Sequence, residues 1–199
     1  PKYRGPSPVR SAILNGETET GVSFMGLVRQ MDAGPVYGHM TEPILPDDCT
    51  ASLEDRLAHL AAPFAVSCFD QIEKNTLPPI PQNEADASYT GFFQKKDGQI
   101  DWSKSAKELD CFTRGMDPWP AASTQICFQT KNQTVPVKIY RLSSEFDSSI
   151  PPKDLAGEKP GTVLGSDKDS VWVLCGSGPC RITELQLAGK KRMKAIDFL

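Results

Sequence analysis

The strongest constraint on how this chain of 199 residues can fold is a proline-rich, polar stretch at residues 76–88. The stretch reads TLPPIPQNEADAS and carries Pro78, Pro79 and Pro81. Because proline fixes φ and has no N–H to donate, such a stretch favours an extended, stiff backbone without internal hydrogen bonds. We therefore expect a boundary here, which divides the chain into residues 1–75, a linker of residues 76–94, and residues 95–199.

The segment before the linker has the pattern of a mixed α/β fold. We predict a helix over residues 6–16, strands over residues 21–28 and 36–44, and a long helix over residues 50–75. Pro63 lies inside the long helix and is expected to kink it or to split it just before the proline. The long helix is the clearest element because its apolar residues recur at three- and four-residue steps: Leu53, Leu57, Leu60, Phe64, Cys68 and Ile72.

The first predicted strand leads into a loop that holds one carboxylate between small residues. Residues 21–38 read GVSFMGLVRQMDAGPVYG, in which Asp32 is followed by Ala33, Gly34 and Pro35. A buried strand that ends in a glycine- and proline-containing turn can present a catalytic side chain on a rigid support. The alternative is that Asp32 only caps the turn, since aspartate favours such positions for local hydrogen bonds. The local pattern leaves both interpretations open.

After the linker, the pattern changes to one short helix followed by short strands. Ser105 and Glu108 have the spacing of a capping box for a helix over residues 106–114. Residues 146–159 are predicted to form a longer polar loop. Five short strands separated by turns predict a small β-barrel, and they cover residues 123–129, 135–142, 161–164, 171–174 and 181–187.

Charge is distributed unevenly between the two parts of the chain. Residues 1–94 contain 6 Lys and Arg against 12 Asp and Glu, whereas residues 95–199 contain 16 against 13. A basic second part suggests a polyanionic partner, although a solvated basic face gives the same count. The candidate phosphate contacts are Lys95, Lys96, Lys190, Lys191, Arg192 and Lys194.

Composition argues against a metal site and against a membrane span. None of the six Cys forms a C-x-x-C pair, and the two His, His39 and His59, lie apart from the Cys in the sequence. We therefore expect no bound metal, and free thiols in a reducing compartment. No apolar run approaches the roughly 18 residues of a membrane helix, so we expect no membrane partner.

Six stretches occur together in an order that resembles the methionyl-tRNA formyltransferase family. Each stretch is modest alone, but the ordered set spans nearly the whole chain and is highly specific. The resemblance implies a fold of class α/β plus β, with a partial Rossmann-like formyltransferase domain followed by a C-terminal OB-like β-barrel. The stretches are PKYRGPSP at the start, GETETGV, MDAGP, IDWS, DPWP and the final LQLAGKKRMKAIDFL.

The resemblance also implies an activity. Members of the family transfer a formyl group from 10-formyltetrahydrofolate to the α-amine of initiator methionyl-tRNA, and no metal is implied. The implied partners are therefore folate and initiator methionyl-tRNA. The full-length protein is expected to be a monomer in the cytoplasm, or in mitochondria if the source is eukaryotic.

The resemblance assigns roles to individual residues. Asp32 falls on the family's catalytic aspartate, and Arg29, Gln30 and Met31 lie beside it as candidate substrate contacts. The basic residues of the second part are candidate tRNA contacts. The family's catalytic Asn and His fall just upstream of the position of Pro1. We therefore expect residues 1–199 alone to be inactive, and the parent protein to be an enzyme.

The chain departs from the family pattern at Phe92. The family often has a basic residue at that place in the linker, where this chain has an aromatic one. The resemblance therefore does not carry the family's linker contacts with tRNA over to this position.

Two other functions compete with tRNA formylation. The GETETGV stretch is also shared with formyltransferases that act on the amine of a sugar nucleotide, and relatives of the same fold hydrolyse formyltetrahydrofolate. A third interpretation, from a different class, is a stand-alone RNA-binding module in which the basic β-rich part holds RNA. The final stretch, LQLAGKKRMKAIDFL, fits the tRNA enzyme best.

Overall fold

The chain folds into two compact units, Pro1–Phe93 and Gln94–Leu199. The structure is a computed structural model that describes residues 2–128, 133–143 and 157–198. Most of the polar loop predicted at residues 146–159 therefore lies outside the described residues, as does the turn predicted at residues 130–133 except for its last residue. The first unit mixes helices and strands and the second is rich in β-strands, as the sequence predicts.

Two pairs of strands and two helices make up the regular structure of the first unit. Strands β2 and β3 form an antiparallel hairpin that pairs Val22 with Met40 and Ser23 with His39. Strands β1 and β4 form a short parallel pair. In chain order the elements are β1 (Tyr3–Arg4), α1 (Pro8–Leu14), β2 (Glu19–Met25), β3 (Val36–Pro43), α2 (Thr50–Glu73) and β4 (Ser88–Tyr89).

The core of the first unit lies where α1, α2 and the hairpin meet. Ile13 of α1 packs with Leu53 and Leu57 of α2, and Val22 of β2 covers them. Each side chain of this kind contributes roughly 1.5–3 kcal/mol when it is fully buried. The apolar stripe predicted on the long helix is confirmed, because its six residues are all buried or half-buried.

Helix α2 runs through Pro63 without interruption. Of the two outcomes predicted for this proline, the split is therefore wrong and the kink stays a prediction. Proline removes the hydrogen bond to the carbonyl of the residue four positions earlier, which is His59. Both residues lie on the exposed side of the helix, where water can satisfy that carbonyl. The apolar stripe on the other side continues to pack on both sides of the proline.

The predicted strand over residues 21–28 ends earlier, at Met25, so the prediction is wrong at its last residues. The Gly26 N–H donates to the Pro35 carbonyl at 2.8 Å, which closes a loop between β2 and β3. Leu27 is 97% exposed and Val28 is also exposed. The apolar character of this run therefore did not indicate burial.

Residues 76–89 of the linker, which we call the connector, are hydrogen-bonded to the rest of the first unit. Ile80 exchanges two backbone hydrogen bonds with Val36, each 2.8 Å long. Further on, β4 aligns Ser88 with Tyr3 and Tyr89 with Arg4 of β1. The extended backbone predicted from the prolines thus adds strand-like pairs at two places. The division into residues 1–75, 76–94 and 95–199 as functional segments stays a prediction.

The second unit begins with a capped helix. Helix α3 (Ala106–Met116) starts where the Ser105 hydroxyl accepts from the Glu108 N–H, and the Glu108 carboxylate accepts from the Ser105 N–H at 2.9 Å. The predicted capping box is therefore confirmed. Leu109 and Met116 of this helix are buried, and the helix packs against the strand Gln133–Ser143.

A six-stranded antiparallel sheet forms most of the second unit. Each strand predicted from the sequence overlaps one of its strands, and β5 ends at Phe128 where the described residues stop. The order across the sheet is β5-β6-β9-β8-β7, with β10 paired to β9. The elements are β5 (Ala122–Phe128), β6 (Gln133–Ser143), β7 (Val163–Ser166), β8 (Val171–Cys175), β9 (Gly178–Leu187), β10 (Met193–Lys194) and α4 (Ala195–Phe198).

The turn between β7 and β8 is organised by the carboxylate of Asp167. It accepts hydrogen bonds from the backbone N–H groups of Asp169 and Ser170 and from the indole N–H of Trp172, at 2.7, 2.7 and 2.9 Å. Arg181 of β9 lies 3.3 Å away. Burial alone would raise the pKa of Asp167, but these donors outweigh burial and lower the pKa from 3.8 to about 2.

The stability of the second unit should therefore depend on Asp167 in acid. A carboxyl whose pKa is lower in the folded state stabilises the fold above its unfolded pKa, and this contribution disappears as the pH falls towards the folded pKa. We expect the free energy of unfolding to fall between about pH 4 and pH 2. Asp167→Asn should be less stable at pH 7 by about 2 kcal/mol and should show a flatter pH profile.

Tryptophan fluorescence can follow this unfolding, because all three Trp of the chain, Trp102, Trp119 and Trp172, belong to the second unit. Asp169→Asn is the matched control, since the Asp169 side chain is 57% exposed in the same turn. Equal acid profiles for the two variants would contradict the role given to Asp167.

Candidate functional site

Asp32 lies in the loop between β2 and β3, in a backbone conformation that few residues adopt. Its φ is +52°, in the left-handed region, where aspartate is tolerated better than most residues. Two residues later, Gly34 passes so close to Gly26 that a Cβ atom on Gly34 would come within 1.7 Å of the Gly26 carbonyl oxygen. The loop thus requires glycine at position 34, and the MDAGP stretch is a structural requirement as well as a candidate site.

The carboxylate of Asp32 is held by the backbone of a distant segment. The Gly5 N–H donates to Asp32 Oδ2 at 2.7 Å, and the carboxylate is half-buried. A hydrogen bond to an ionised acceptor is stronger than a neutral one, so this contact fixes the side chain while leaving it reachable. The interpretation that Asp32 only caps its own turn does not account for a donor 27 positions earlier in the chain.

A polar network from three segments supports the Asp32 loop. Gln82 donates from Nε2 to the Asp32 and Gly34 carbonyls at 2.8 and 2.6 Å. Its Oε1 accepts from Arg4 Nη2 at 3.0 Å. Sequence reasoning missed both Gln82 and Arg4 as parts of a site. The only signal was the presence of polar residues directly after the prolines of the connector.

Arg4 is completely buried, so its positively charged guanidinium lies inside the first unit. Its guanidinium donates to both carboxylate oxygens of Glu84, at 2.9 and 3.0 Å, and to the Tyr89 hydroxyl at 3.2 Å. The guanidinium holds the pKa of Glu84 below its ordinary value. Such a buried charge is tolerated only with several partners, so Arg4 ties β1 to the segment of residues 82–89.

The three residues predicted to contact substrate precede Asp32 in the same loop. Arg29, Gln30 and Met31 are all exposed. Gln30 reaches back to the Tyr89 hydroxyl with a long contact of 3.4 Å. The structure thus places them next to Asp32 on an accessible surface, and their role stays a prediction.

An open cavity of about 760 Å³ shares Gln82 with the support of the Asp32 loop. Neither Asp32 nor Arg29, Gln30 and Met31 lines it. His39, an exposed residue of β3, does line it. The lining residues come from the hairpin, the connector and the start of the chain: Lys2, Ser23, Val36, Tyr37, Gly38, His39, Ile80, Pro81, Gln82, Asn83 and Asp86.

The predicted tRNA contacts lie in the second unit at two places. Lys95 and Lys96 are exposed on a short 3₁₀ turn, Lys95–Gly98. Lys190 and Lys191 are exposed between β9 and β10, and Lys194 is exposed at the end of β10. These five lysines present their charges to solvent.

Arg192 differs from these lysines because it is bonded within the unit. Its guanidinium contacts both carboxylate oxygens of Glu184, at 2.7 and 2.8 Å, and those of Asp117, at 3.2 and 3.0 Å. It also lies 4.1 Å from the centre of the Tyr140 ring. The Glu184 carboxylate raises the pKa of Arg192 above its ordinary value, and Arg192 in turn lowers that of Glu184.

Metal ligands do not cluster in the part of the chain that the structure describes, where no group of three or more His, Cys, Asp or Glu could hold an ion. Across residues 2–128, 133–143 and 157–198, no helix is long and apolar enough to cross a membrane.

Comparison with known proteins gives matches over both units. A family model described as "Formyl transferase" matches residues 1–67, and one described as "Formyl transferase, C-terminal domain" matches residues 93–199. A methionyl-tRNA formyltransferase from Geobacter metallireducens is 36% identical over 199 residues, which cover all of this chain and 59% of that protein. The chain thus spans about three fifths of the length of the curated relatives it matches.

Solved structures show the same fold at lower identity. HypX from Aquifex aeolicus in complex with tetrahydrofolic acid matches with a TM-score of 0.66 and 21% identity, covering 100% of this chain and 33% of that one. WlaRD, a sugar 3N-formyl transferase, matches with a TM-score of 0.62 and 19% identity, covering 95% of this chain and 62% of that one. The fold is the formyltransferase fold, with a partial Rossmann-like part and a β-rich C-terminal part.

The contacts of Arg192 predict that it stabilises the second unit far more than its lysine neighbours do. In Arg192→Met, the Asp117 carboxylate, whose side chain is only 5% exposed, loses its charged partner. We expect a loss of about 2–3 kcal/mol in the free energy of unfolding, measured by denaturant titration with tryptophan fluorescence. Lys190→Met is the control and should change stability by less than about 0.5 kcal/mol. Similar losses for both variants would show that the Arg192 contacts contribute little.

Proposed function

Because the chain belongs to the formyl transferase family, we propose that the full-length protein transfers a formyl group from 10-formyltetrahydrofolate to the α-amine of initiator methionyl-tRNA. The observation that carries the proposal is the Asp32 carboxylate, which the Gly5 N–H holds in an accessible loop. It stands where the family resemblance puts the catalytic aspartate. The similarity to the Geobacter protein, which runs over all 199 residues, supports tRNA as the acceptor.

The reaction benefits from a carboxylate because negative charge develops on the formyl oxygen and the attacking amine loses a proton. The amine nitrogen forms a bond to the formyl carbon and a tetrahedral oxyanion develops. The bond from that carbon to folate N10 then breaks, while a proton passes from the amine to N10. We assign to Asp32 the tasks of keeping a histidine of the parent protein protonated and of guiding the proton. Asn and His donors upstream would stabilise the oxyanion.

The residues before Asp32 are proposed to contact the substrates. Arg29, Gln30 and Met31 are exposed on the same loop, so a substrate that reaches the carboxylate passes them. Arg29 supplies a positive charge for a phosphate or a folate carboxylate. Met31 supplies an adaptable apolar surface for a ring or a methionyl side chain.

The second unit is proposed to hold tRNA as an OB-like barrel. Its exposed Lys95, Lys96, Lys190, Lys191 and Lys194 offer charges to the phosphate backbone. Arg192 belongs to the same proposed surface. Because two carboxylates already bind its guanidinium, we expect it to attract phosphate less than the lysines do.

Formyl transfer to the amine of a sugar nucleotide is the second candidate. It is favoured by the fold shared with WlaRD, a sugar 3N-formyl transferase. The two candidates differ in the acceptor, so a competition assay separates them. The full-length protein should formylate methionyl-tRNA in the presence of an excess of an amino-sugar nucleotide. Product on the sugar alone would overturn the first proposal.

The role of Asp32 can be tested by Asp32→Asn in the full-length protein. The amide keeps the size and an acceptor for the Gly5 N–H but loses the charge. We expect kcat for formyl transfer to fall about 10²- to 10⁴-fold with little change in tRNA affinity. The free energy of unfolding should fall by only about 1 kcal/mol, because the hydrogen bond from Gly5 is kept but loses its charge.

The matched control for this test is Asp47→Asn, the same change at an exposed aspartate of the same unit. It should retain the wild-type kcat. If Asp32→Asn loses stability but keeps kcat, Asp32 is a turn residue and its catalytic role is refuted.

The lysine surface predicts a salt-dependent affinity for tRNA. In Lys190→Gln with Lys191→Gln, each lost phosphate contact should reduce the slope of log K against log salt by about 0.7 to 0.9. Fluorescence polarisation with labelled tRNA at several salt concentrations measures that slope. Lys168→Gln removes the charge of a lysine that is 88% exposed in another turn, and should leave the slope unchanged. Identical slopes for all proteins would remove these lysines from the interface.

A further inference from the structure

We propose that Gln82 is a positioning residue that holds the Asp32 loop in its catalytic geometry, with Arg4 as its anchor. The proposal rests on the proposed function of Asp32 and extends it to a residue of the connector. Gln82 binds the backbone carbonyl of Asp32 and not its carboxylate. This contact therefore does not involve the reacting group. Its effect on the reaction therefore passes through the loop.

The chemistry of its neighbours leaves one orientation for the Gln82 amide. The carbonyl oxygens of Asp32 and Gly34 can only accept, and they face Nε2 at 2.8 and 2.6 Å. The Arg4 guanidinium can only donate, and it faces Oε1 at 3.0 Å. One side chain thus satisfies two carbonyls on either side of Ala33 and accepts from a buried cation. A glutamate of the same shape would place a carboxylate oxygen against both carbonyls.

Arg4 holds Gln82 in place because its guanidinium is itself fixed by several contacts. Its side chain has no exposed surface, and Glu84 binds it with two hydrogen bonds of 2.9 and 3.0 Å. Tyr89 adds a third contact at 3.2 Å. Moving the guanidinium would break all of these contacts together, so the position of Gln82 Oε1 is determined by a rigid partner.

Arg4 and Gly5, which both support Asp32, are adjacent in the chain. Gly5 holds the Asp32 carboxylate through its N–H, while Arg4 holds the Asp32 backbone through Gln82. The side chain and the backbone of Asp32 are therefore fixed to the same short segment. Loss of Gln82 leaves the carboxylate with its hydrogen bond from Gly5, on a loop whose Asp32 and Gly34 carbonyls have lost their donor. Misplacement by about 1 Å can cost on the order of 100-fold in rate.

The test uses Gln82→Met in the full-length protein, a change that removes both donors and keeps the length of the side chain. The Gly5 amide reports directly on the carboxylate, because Asp32 Oδ2 is its acceptor. We expect its hydrogen exchange to accelerate about tenfold or more at a temperature well below melting. We also expect kcat to fall about tenfold or more while KM changes less than threefold.

Gln71→Met is the matched control, since Gln71 is exposed on α2 and its side-chain amide donates to Ser67 of the same helix. It should leave Gly5 exchange and kcat unchanged. Should Gln82→Met fail to fold, Gln82→Glu with Gln71→Glu repeats the comparison, because the glutamate keeps its acceptor for Arg4. Normal Gly5 exchange and normal kcat in a folded Gln82 variant would overturn the proposal.

The exchange measurement also separates this inference from the proposed function. If the wild-type protein does not formylate methionyl-tRNA but Gln82 variants accelerate Gly5 exchange, the proposed function fails and the positioning of Asp32 stands. If formyl transfer is normal and Gly5 exchange is unaffected by Gln82 variants, the function stands and the positioning role is wrong.

Discussion

The buried guanidinium of Arg4 is the constraint on which the first unit depends. A charge with no exposed surface must find its partners inside the protein, since an uncompensated buried charge costs several kcal/mol. Arg4 finds them in Glu84, Gln82 and Tyr89, all of which belong to the connector. The proline-rich stretch is thereby hydrogen-bonded to the first strand of the chain. Through Gln82, the connector also supports the loop that holds Asp32.

Features that arise from local periodicity were predictable from the sequence, as α2 illustrates. Its stripe from Leu53 to Ile72 follows the helical repeat, and the repeat depends only on neighbouring residues. The capping box of α3 is equally local. The sequence did not decide whether Pro63 would split the helix, because the outcome depends on which face of the helix the proline occupies.

The end of β2 was not predictable for a related reason. Leu27 and Val28 are apolar, yet they lie in a loop that the Gly26–Pro35 hydrogen bond closes. Similarly, the support of Asp32 comes from Gln82, 50 positions later in the chain. A single sequence carries no signal for such a pair, because neither partner belongs to a repeat. Asp32 itself was found through its small neighbours and the family resemblance.

The sequence suggested that the four basic residues at positions 190–194 of the second unit act alike. In the structure, however, Arg192 forms ion pairs with Asp117 and Glu184, whereas its three lysine neighbours are exposed to solvent. Arginine forms bidentate pairs with carboxylates more readily than lysine does, because its guanidinium is planar and offers several donors. The residue type therefore already favoured Arg192 as the structural member. The lysines, with one compact charge each on a flexible stem, suit a surface that must adapt to phosphates.

The energies at Asp32 explain why its support must come from outside the loop. A non-glycine residue in the left-handed region costs roughly 1–2 kcal/mol, and aspartate pays somewhat less than most. The charged hydrogen bond from Gly5 returns about 1.5–3 kcal/mol, and each contact from Gln82 about 1 kcal/mol. The local strain and the gain from Gly5 are thus similar in size, so Gly5 alone would hold the loop only weakly. With Gln82 the balance favours one geometry, and a carboxylate that is fixed before the substrate arrives does not need to be ordered during the reaction.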